Sequence, residues 1–326
     1  MTDHVIVTCQ RAEFTPAKYS ENVLNLAKLA HCVRPMSSST SYTMLKERLC
    51  RAARGNVNEI MHSNGTGTVI TFANQKGGCG KSTTVVNVGA ILSWCQNMNV
   101  LLVDMDPQAN TTSGVGIIPH EVDTTVYNVL LTAAGFKDMR VGPATAEEAI
   151  IRTAFPNLDI LPSNLYLARA ESELQSVVSR ETLLKRALNS IKSHYDYVLV
   201  DTPPSLGILT LNALVASDDV IVPVQAHFYA ASGIPLLFGA IEDLRVAGYD
   251  VKVRGFLMTM VDNRTRLARD VRKLLRDQHG NLVFQTEVPS NIRLAEAPSH
   301  GKPVIFYDSR CTGAQAYQKL TEEMIS

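Results

Sequence analysis

The chain has 326 residues, of which 45% are hydrophobic, and its 31 basic side chains balance 31 acidic ones for a formal charge of zero. The hydrophobic share excludes wholesale disorder, the neutral balance excludes a global attraction to nucleic acid or anionic membrane, and the length allows one large domain with an appendage or two modest domains. No run of eighteen apolar residues is present, so no transmembrane helix is expected, and the opening MTDHVIVTCQRAEF lacks the basic segment and apolar core of a secretory signal.

Residues 1–66 differ in texture from the rest. Two short helical patterns, around Ser20–Cys32 and Tyr42–Ala53, are joined by a polar connector that contains Met36-Ser-Ser-Ser-Thr-Ser41, and the stretch closes at the Gly/Ser-rich His62–Gly67. A small DNA-binding or dimerisation module and a docking arm for the main domain both fit this pattern. From residue 68 short β-branched runs alternate with longer helical stretches. The strand candidates are Thr68–Ala73, Val100–Asp104, Leu158–Leu161, Tyr197–Asp201, Val220–Val224, Val253–Met260 and Leu282–Glu287. Runs such as VLLVD and YVLVD are apolar almost throughout, as strands covered on both faces are. The expected fold is therefore α/β: a mostly parallel twisted sheet with helices on both faces over 67–326, preceded by a short helical extension over 1–66. Ligands of such sheets bind at the carboxyl ends of the strands. The cysteines Cys9, Cys32, Cys50, Cys79, Cys95 and Cys311 form no CxxC pair and read as reduced thiols of a cytosolic protein rather than zinc ligands.

The first strand runs into Asn74-Gln-Lys-Gly-Gly-Cys-Gly-Lys-Ser-Thr-Thr84 and then a helical run. Strand, glycine-rich loop and helix is the context of a phosphate-binding loop. Gly77, Gly78, Cys79 and Gly80 turn backbone amides toward phosphate oxygens, and the following helix N-terminus adds free N–H groups around Ser82 and Thr83. In this pattern Lys81 neutralises the β- and γ-phosphates of ATP and the Ser82 hydroxyl ligates Mg²⁺. Gln75 stands where the first glycine of GxxxxGK[ST] belongs, and an additional lysine, Lys76, lies five residues before Lys81.

KGGCGKST resembles the deviant Walker A box, KGGxGK[ST], of the ParA/MinD family. The resemblance covers about residues 68–325. It implies that Lys76 reaches across a nucleotide-sandwich dimer to the partner's ATP, as an arginine finger does. LLVDMDPQAN resembles the family's first switch segment. The two carboxylates at i and i+2 point the same way on a persisting strand; Asp106 is the one expected to position the attacking water, and Asp104 to support magnesium or loop geometry. YDYVLVDTPPS fits a Walker B strand, with Asp201 contacting Mg²⁺ through water and Thr202–Gly207 as a second switch stiffened by Pro203 and Pro204. LMTMVDNRT and TEVPSNIRLAEAPS resemble family segments near the nucleotide base, which implies Asp262 and Pro289 as adenine neighbours.

Within Arg264–Arg276 six basic residues meet only Asp270. Arg269, Arg272 or Lys273, and Arg276 lie on one helical face suited to sequence-independent phosphate contacts, with Arg266 a further candidate contact, while Val271, Leu274 and Leu275 can turn inward. A solvated amphipathic helix is the plainer alternative. Arg293 resembles a position where ParA relatives carry a DNA-contacting base. A MinD-like membrane ATPase should end in a basic amphipathic helix, whereas Gly313–Ser326 carries two acids and one lysine. A nitrogenase-reductase-like protein needs two cluster-ligating cysteines per subunit, and beyond Cys95 only Cys311 remains. A ParA relative that positions a protein cargo has the same core. A non-hydrolysing nucleotide sensor fits less well, because Lys76, Lys81, Asp106 and Asp201 are all present. The resemblance thus implies a cytoplasmic, nucleoid-associated partition ATPase. In that reading Mg·ATP closes a homodimer on non-specific DNA, a ParB-like centromere-binding protein stimulates hydrolysis, and no membrane is involved.

Overall fold

The computed structural model describes residues 67–136, 142–227 and 233–326; the helical patterns expected within 1–66 lie outside the described residues. In chain order the strands are β1 (Thr68–Phe72), β2 (Val100–Asp104), β3 (Ile151–Arg152), β4 (Leu158–Leu161), β5 (Tyr197–Asp201), β6 (Asp219–Gln225) and β7 (Val253–Thr259). They form one sheet of order β3-β4-β2-β5-β1-β6-β7, parallel throughout except for the antiparallel β3–β4 pair. The principal helices are α1 (Lys81–Cys95), α2 (Asn110–Gly114), α3 (Val126–Ala133), α4 (Leu183–Leu188), α5 (Ile208–Ala216), α6 (Ile234–Val246), α7 (Arg266–His279) and α8 (Thr312–Ile325).

Side chains alternate across the sheet, and the two faces are buried by different helices. Ile70, Phe72, Leu102 and Leu199 face α1 and α8, whose Val88, Leu92, Tyr317 and Leu320 complete that layer. Their neighbours Val69, Leu101, Val103, Val198 and Val200 face the other way, onto α3, α4 and α5. Over β6 and β7, Val222, Val224, Phe256 and Met258 pack on α6 and α7. Continuous apolar runs are required because each strand residue meets a helix on one face or the other. Each large side chain so buried contributes about 1.5–3 kcal/mol.

The structure departs from the sequence expectation in three places. Leu282–Glu287 is not a strand: a 3₁₀ turn at Gly280–Leu282 leads into a segment that pairs with β7 and the residues after it at the isolated bridges Phe256–Val283 and Val261–Pro289, with one further bond from the Val288 amide to the Met258 carbonyl, and forms no continuous ladder. The reason is that the amides of Gln285 and Thr286 donate to the Glu323 carboxylate of α8, at 2.6 and 2.9 Å, instead of to a ladder. The two-residue β3 is too short for any period to announce it. On α7 the inward residues are Ala268, Val271 and Leu275, spaced three and four apart, whereas Leu274 is 42% exposed. Leu275→Ala should therefore cost about 2–4 kcal/mol in denaturant unfolding and Leu274→Ala under about 1 kcal/mol; equal losses would contradict this orientation.

Candidate nucleotide site

β1 lies between β5 and β6, so the loop after it opens at the carboxyl edge where the connections diverge to either side. Its shape rests on glycine at two positions, Gly78 and Gly80, with φ of 71° and 86°. A Cβ at Gly78 would project into open space, which leaves its backbone free to approach a ligand. Cys79 between them is fully buried; its carbonyl accepts from the Thr259 hydroxyl at 2.8 Å, which ties the loop to the end of β7. Burial raises the Cys79 thiol pKa, the opposite of an activated thiolate.

A cavity of about 360 Å³ opens over this loop, lined by Gly77, Gly78, Cys79, Gly80, Lys81, Ser82 and Thr83 on one side and by Asp106 on another. The Lys81 ammonium is buried at the cavity floor, bonded to the carbonyls of Asn74 (3.1 Å) and Lys76 (3.3 Å). Asn74 also receives the Lys76 amide on its side-chain oxygen and donates to Pro223 of β6, so the loop's first turn is fixed to the sheet. Lys76 is half-buried, and what it gives to the site is this carbonyl.

Beneath the loop, Asp104 and Asp201 are register partners on β2 and β5 and both are fully buried. Asp104 accepts from the Thr112 amide (2.8 Å), the Thr112 hydroxyl (2.7 Å) and the Asp106 amide (3.1 Å). Its bonds are thus spent on holding the turn into α2. Asp201 accepts from the Thr111 hydroxyl at 2.8 Å, and the nearby Ser82 hydroxyl favours its charged form. Burial raises the pKa of both carboxyls; mutual repulsion adds to it at Asp104, while at Asp201 the Ser82 and Thr111 hydroxyls and Lys81 oppose it. The Oδ1 atom of Asp201 is buried without a hydrogen-bond partner. An orphaned anionic oxygen beside the Ser82 hydroxyl is what a metal-bound water would satisfy, so these residues fit Mg²⁺ held chiefly by nucleotide phosphates. Asp106 is 6% exposed, lines the cavity, and is oriented by the Gln108 amide at 2.9 Å. Ala109, at φ 55°, makes the tight turn between Asp106 and α2.

The remaining sequence candidates are distributed differently. Asp262 and Pro289 lie outside the cavity lining: Asp262 is clasped by both arms of Arg264, whose hydrogen bonds hold its carboxyl at about 2, and Pro289 is bridged to Val261. Met260, the residue after β7, lines the cavity with φ 52°. Asn87, Pro298 and Lys302 also line it. None of these carries a local motif; they arrive from elements far apart in sequence. Thr111 and Thr112 adjoin the quoted DMDPQAN segment, and two hydroxyls directly after an acidic turn were a legible signal. On α7, Arg266, Arg269, Lys273 and Arg276 are exposed, and Arg269 and Lys273 have no partner among the described residues. Arg272 is instead neutralised by Glu287 and bonded to Asn263, and Arg293 pairs with Glu296 and Asp308.

A parallel sheet, a glycine-rich loop at its carboxyl edge, a buried lysine and a Walker B aspartate define a P-loop nucleotide-binding protein. A family model described as an AAA domain matches residues 67–252. The sporulation initiation inhibitor protein Soj of Bacillus subtilis is 45% identical over 263 residues, spanning 79% of this chain and 98% of Soj. The chromosome partitioning protein ParA of Caulobacter vibrioides is 41% identical over 261 residues, spanning 79% and 94%. The chain belongs to the ParA/Soj family of chromosome-partitioning ATPases. Among solved structures, cobyrinic acid a,c-diamide synthase from Mycobacterium smegmatis with bound ATP analog and magnesium is 35% identical, with a TM-score of 0.68 over 78% of this chain and 93% of that one.

Removing the buried cation isolates its share of binding. Lys81→Ala should weaken ATP binding about 10–100-fold, the worth of one charge-assisted hydrogen bond, in a fluorescent-nucleotide titration with Mg²⁺; unchanged affinity would contradict the placement of Lys81.

Proposed function

We propose that the protein is a Mg-dependent ATP hydrolase of the partition type, in which ATP binding closes a homodimer that holds DNA without regard to sequence and hydrolysis releases it. The observation that carries the reading is the convergence of Lys81, Ser82 and Asp106 on one cavity above an unsatisfied oxygen of Asp201. When bound, Mg·ATP supplies the phosphoanhydride whose γ-phosphoryl passes to water. Lys81 exchanges its carbonyl partners for phosphate oxygens, and the loop amides and Ser82 hold the phosphate chain in place. Asp106, fixed by the Gln108 amide, orients the attacking water and takes its proton on a carboxylate oxygen. Lys76 acts in the partner's site, in keeping with its lying beside rather than within the lining of its own cavity.

DNA is held in this reading through α7, with Arg269 and Lys273 as its free cations and Arg266 and Arg276 beside them, while Arg272 and Arg293 serve local ion pairs. A ParB-like centromere-binding protein is the expected stimulator of hydrolysis, and the site of action is cytoplasmic and nucleoid-associated. Membrane docking by α8 is disfavoured because Ala316, Tyr317, Leu320 and Met324 are buried, three of them against the α1 layer; among the described residues no helix is long and apolar enough to cross a membrane.

Two measurements test this. Asp106→Ala should retain ATP binding and ATP-dependent dimerisation yet release phosphate at least about 100-fold more slowly; hydrolysis at the parental rate would remove its role. The assay contains no carboxylic acid or amide donor, so phosphate release in it also separates a hydrolase from an amide synthase. In DNA co-sedimentation across a salt series, binding should require ATP. The Arg269→Ala/Lys273→Ala double variant should lower the slope of log affinity against log salt by about two; an unchanged slope would move the DNA surface elsewhere.

A further inference from the structure

The segment between Asp201 and α5 borders the nucleotide cavity, and its far end is held by a residue from another part of the chain. The N-cap residue of α5 is Gly207, which has no side chain to cap the free amides of the first turn. The Ile208 amide donates instead to Oε2 of Glu171, at 3.1 Å, from the helical turn Ala170–Glu173. The fit is close: a Cβ at Gly207 would lie 2.3 and 2.6 Å from the two Glu171 oxygens. Glu171 thus supplies both a hydrogen bond and a negative charge at a helix N-terminus.

We propose that Glu171 is a positioning residue for phosphoryl transfer, acting through the Thr202–Gly207 segment; the inference rests on the hydrolase reading above. The near end of that segment is fixed by the Thr202 hydroxyl, which donates to the Phe72 carbonyl of β1 at 2.8 Å. Pro203 and Pro204 follow, with φ locked by their rings. Pro204 lines the nucleotide cavity and lies over Gly77, 3.7 Å from where a Cβ of that residue would be. Three residues separate Pro204 from Ile208, so a displacement of the α5 start has little slack to absorb it before it reaches the phosphate loop.

The support for Glu171 also reaches the first acidic segment. The Ser163 amide donates to the Thr112 hydroxyl at 3.0 Å, and Thr112 in turn bonds Asp104. Between these two attachments Leu167 and Ala170 are buried in the core, and Tyr127 donates to Glu173 at 2.8 Å. Residues 163–173 therefore join the turn that carries Asp106 to the segment that carries Pro204, and the Glu171 carboxylate is the contact on the second side. Glu171 does not line the cavity itself, so its effect should fall on turnover rather than on nucleotide affinity.

The test uses the full chain and its Glu171→Ala, Glu171→Gln and Gly207→Ala variants, with phosphate release, fluorescent-ADP binding, thermal melting and hydrogen exchange measured on each. Glu171→Ala should lower kcat about tenfold or more with KM within about twofold, as expected for a small misplacement of catalytic geometry. Gly207→Ala, whose methyl displaces the carboxylate, should do the same. Glu171→Gln keeps an acceptor oxygen and should remain within about threefold of the parent. Exchange of the Ile208 amide should accelerate in the first two variants while ADP affinity holds. A parental kcat in Glu171→Ala overturns the proposal, as does equal impairment of Ala and Gln variants accompanied by lower melting and weaker ADP binding. Should the parent bind ADP yet release no phosphate, the hydrolase reading fails and the positioning role falls with it, a result distinct from a parental kcat in Glu171→Ala, which overturns the positioning role alone.

Discussion

Two carboxyl groups, Asp104 and Asp201, lie side by side at the ends of adjacent parallel strands, both fully buried. Buried anions are costly unless hydrogen-bonded or neutralised, and much of the local structure answers that requirement. Thr112 gives Asp104 both its amide and its hydroxyl, which dictates where α2 starts. Thr111, one residue earlier, turns its hydroxyl to Asp201. The Asp106 amide closes on Asp104, and this bond sets the direction in which Asp106 leaves the strand. Lys81 and Ser82 complete the arrangement from the loop above. One oxygen of Asp201 is left over, and the chemistry of the site begins there.

The loop over these carboxylates is held by residues remote in sequence. Thr259 fixes the Cys79 carbonyl. Thr84 donates to the Gly80 carbonyl and is itself 3.1 Å from the Tyr317 hydroxyl, which must then be the donor. Asn87 receives the Val304 amide while donating to the Thr83 carbonyl. Strand β7 and helix α8 are thereby coupled to the phosphate loop, and Glu323 of α8 also holds the segment leading to Pro289. A fold that bolts its loop at so many points presents the amides pre-oriented, so that little reorganisation is required when a polyanion arrives.

What was legible in the sequence is what depends on local chemistry. The runs VLLVD and YVLVD announced buried parallel strands because both sheet faces are covered, and the glycines with Lys81 and Ser82 announced the loop because only that pattern lets amides converge on phosphate. The rest depends on pairings across the chain. Arg272 reads as a free cation of α7 until Glu287, fifteen residues away, is folded beside it. Leu282–Glu287 reads as a strand until Glu323 takes its amides. Met260 and Lys302 reach the cavity through the ends of elements whose placement no local period encodes.

The central claim is that occupancy of this site changes how many copies of the chain associate. The most direct measurement is the solution mass of the full chain by light scattering on size exclusion, with Mg²⁺ and either ADP or a non-hydrolysable ATP analogue. The account predicts the 35.7 kDa species with ADP and about twice that mass with the analogue, as a sandwich dimer requires. An unchanged mass with the analogue demonstrably bound would contradict it.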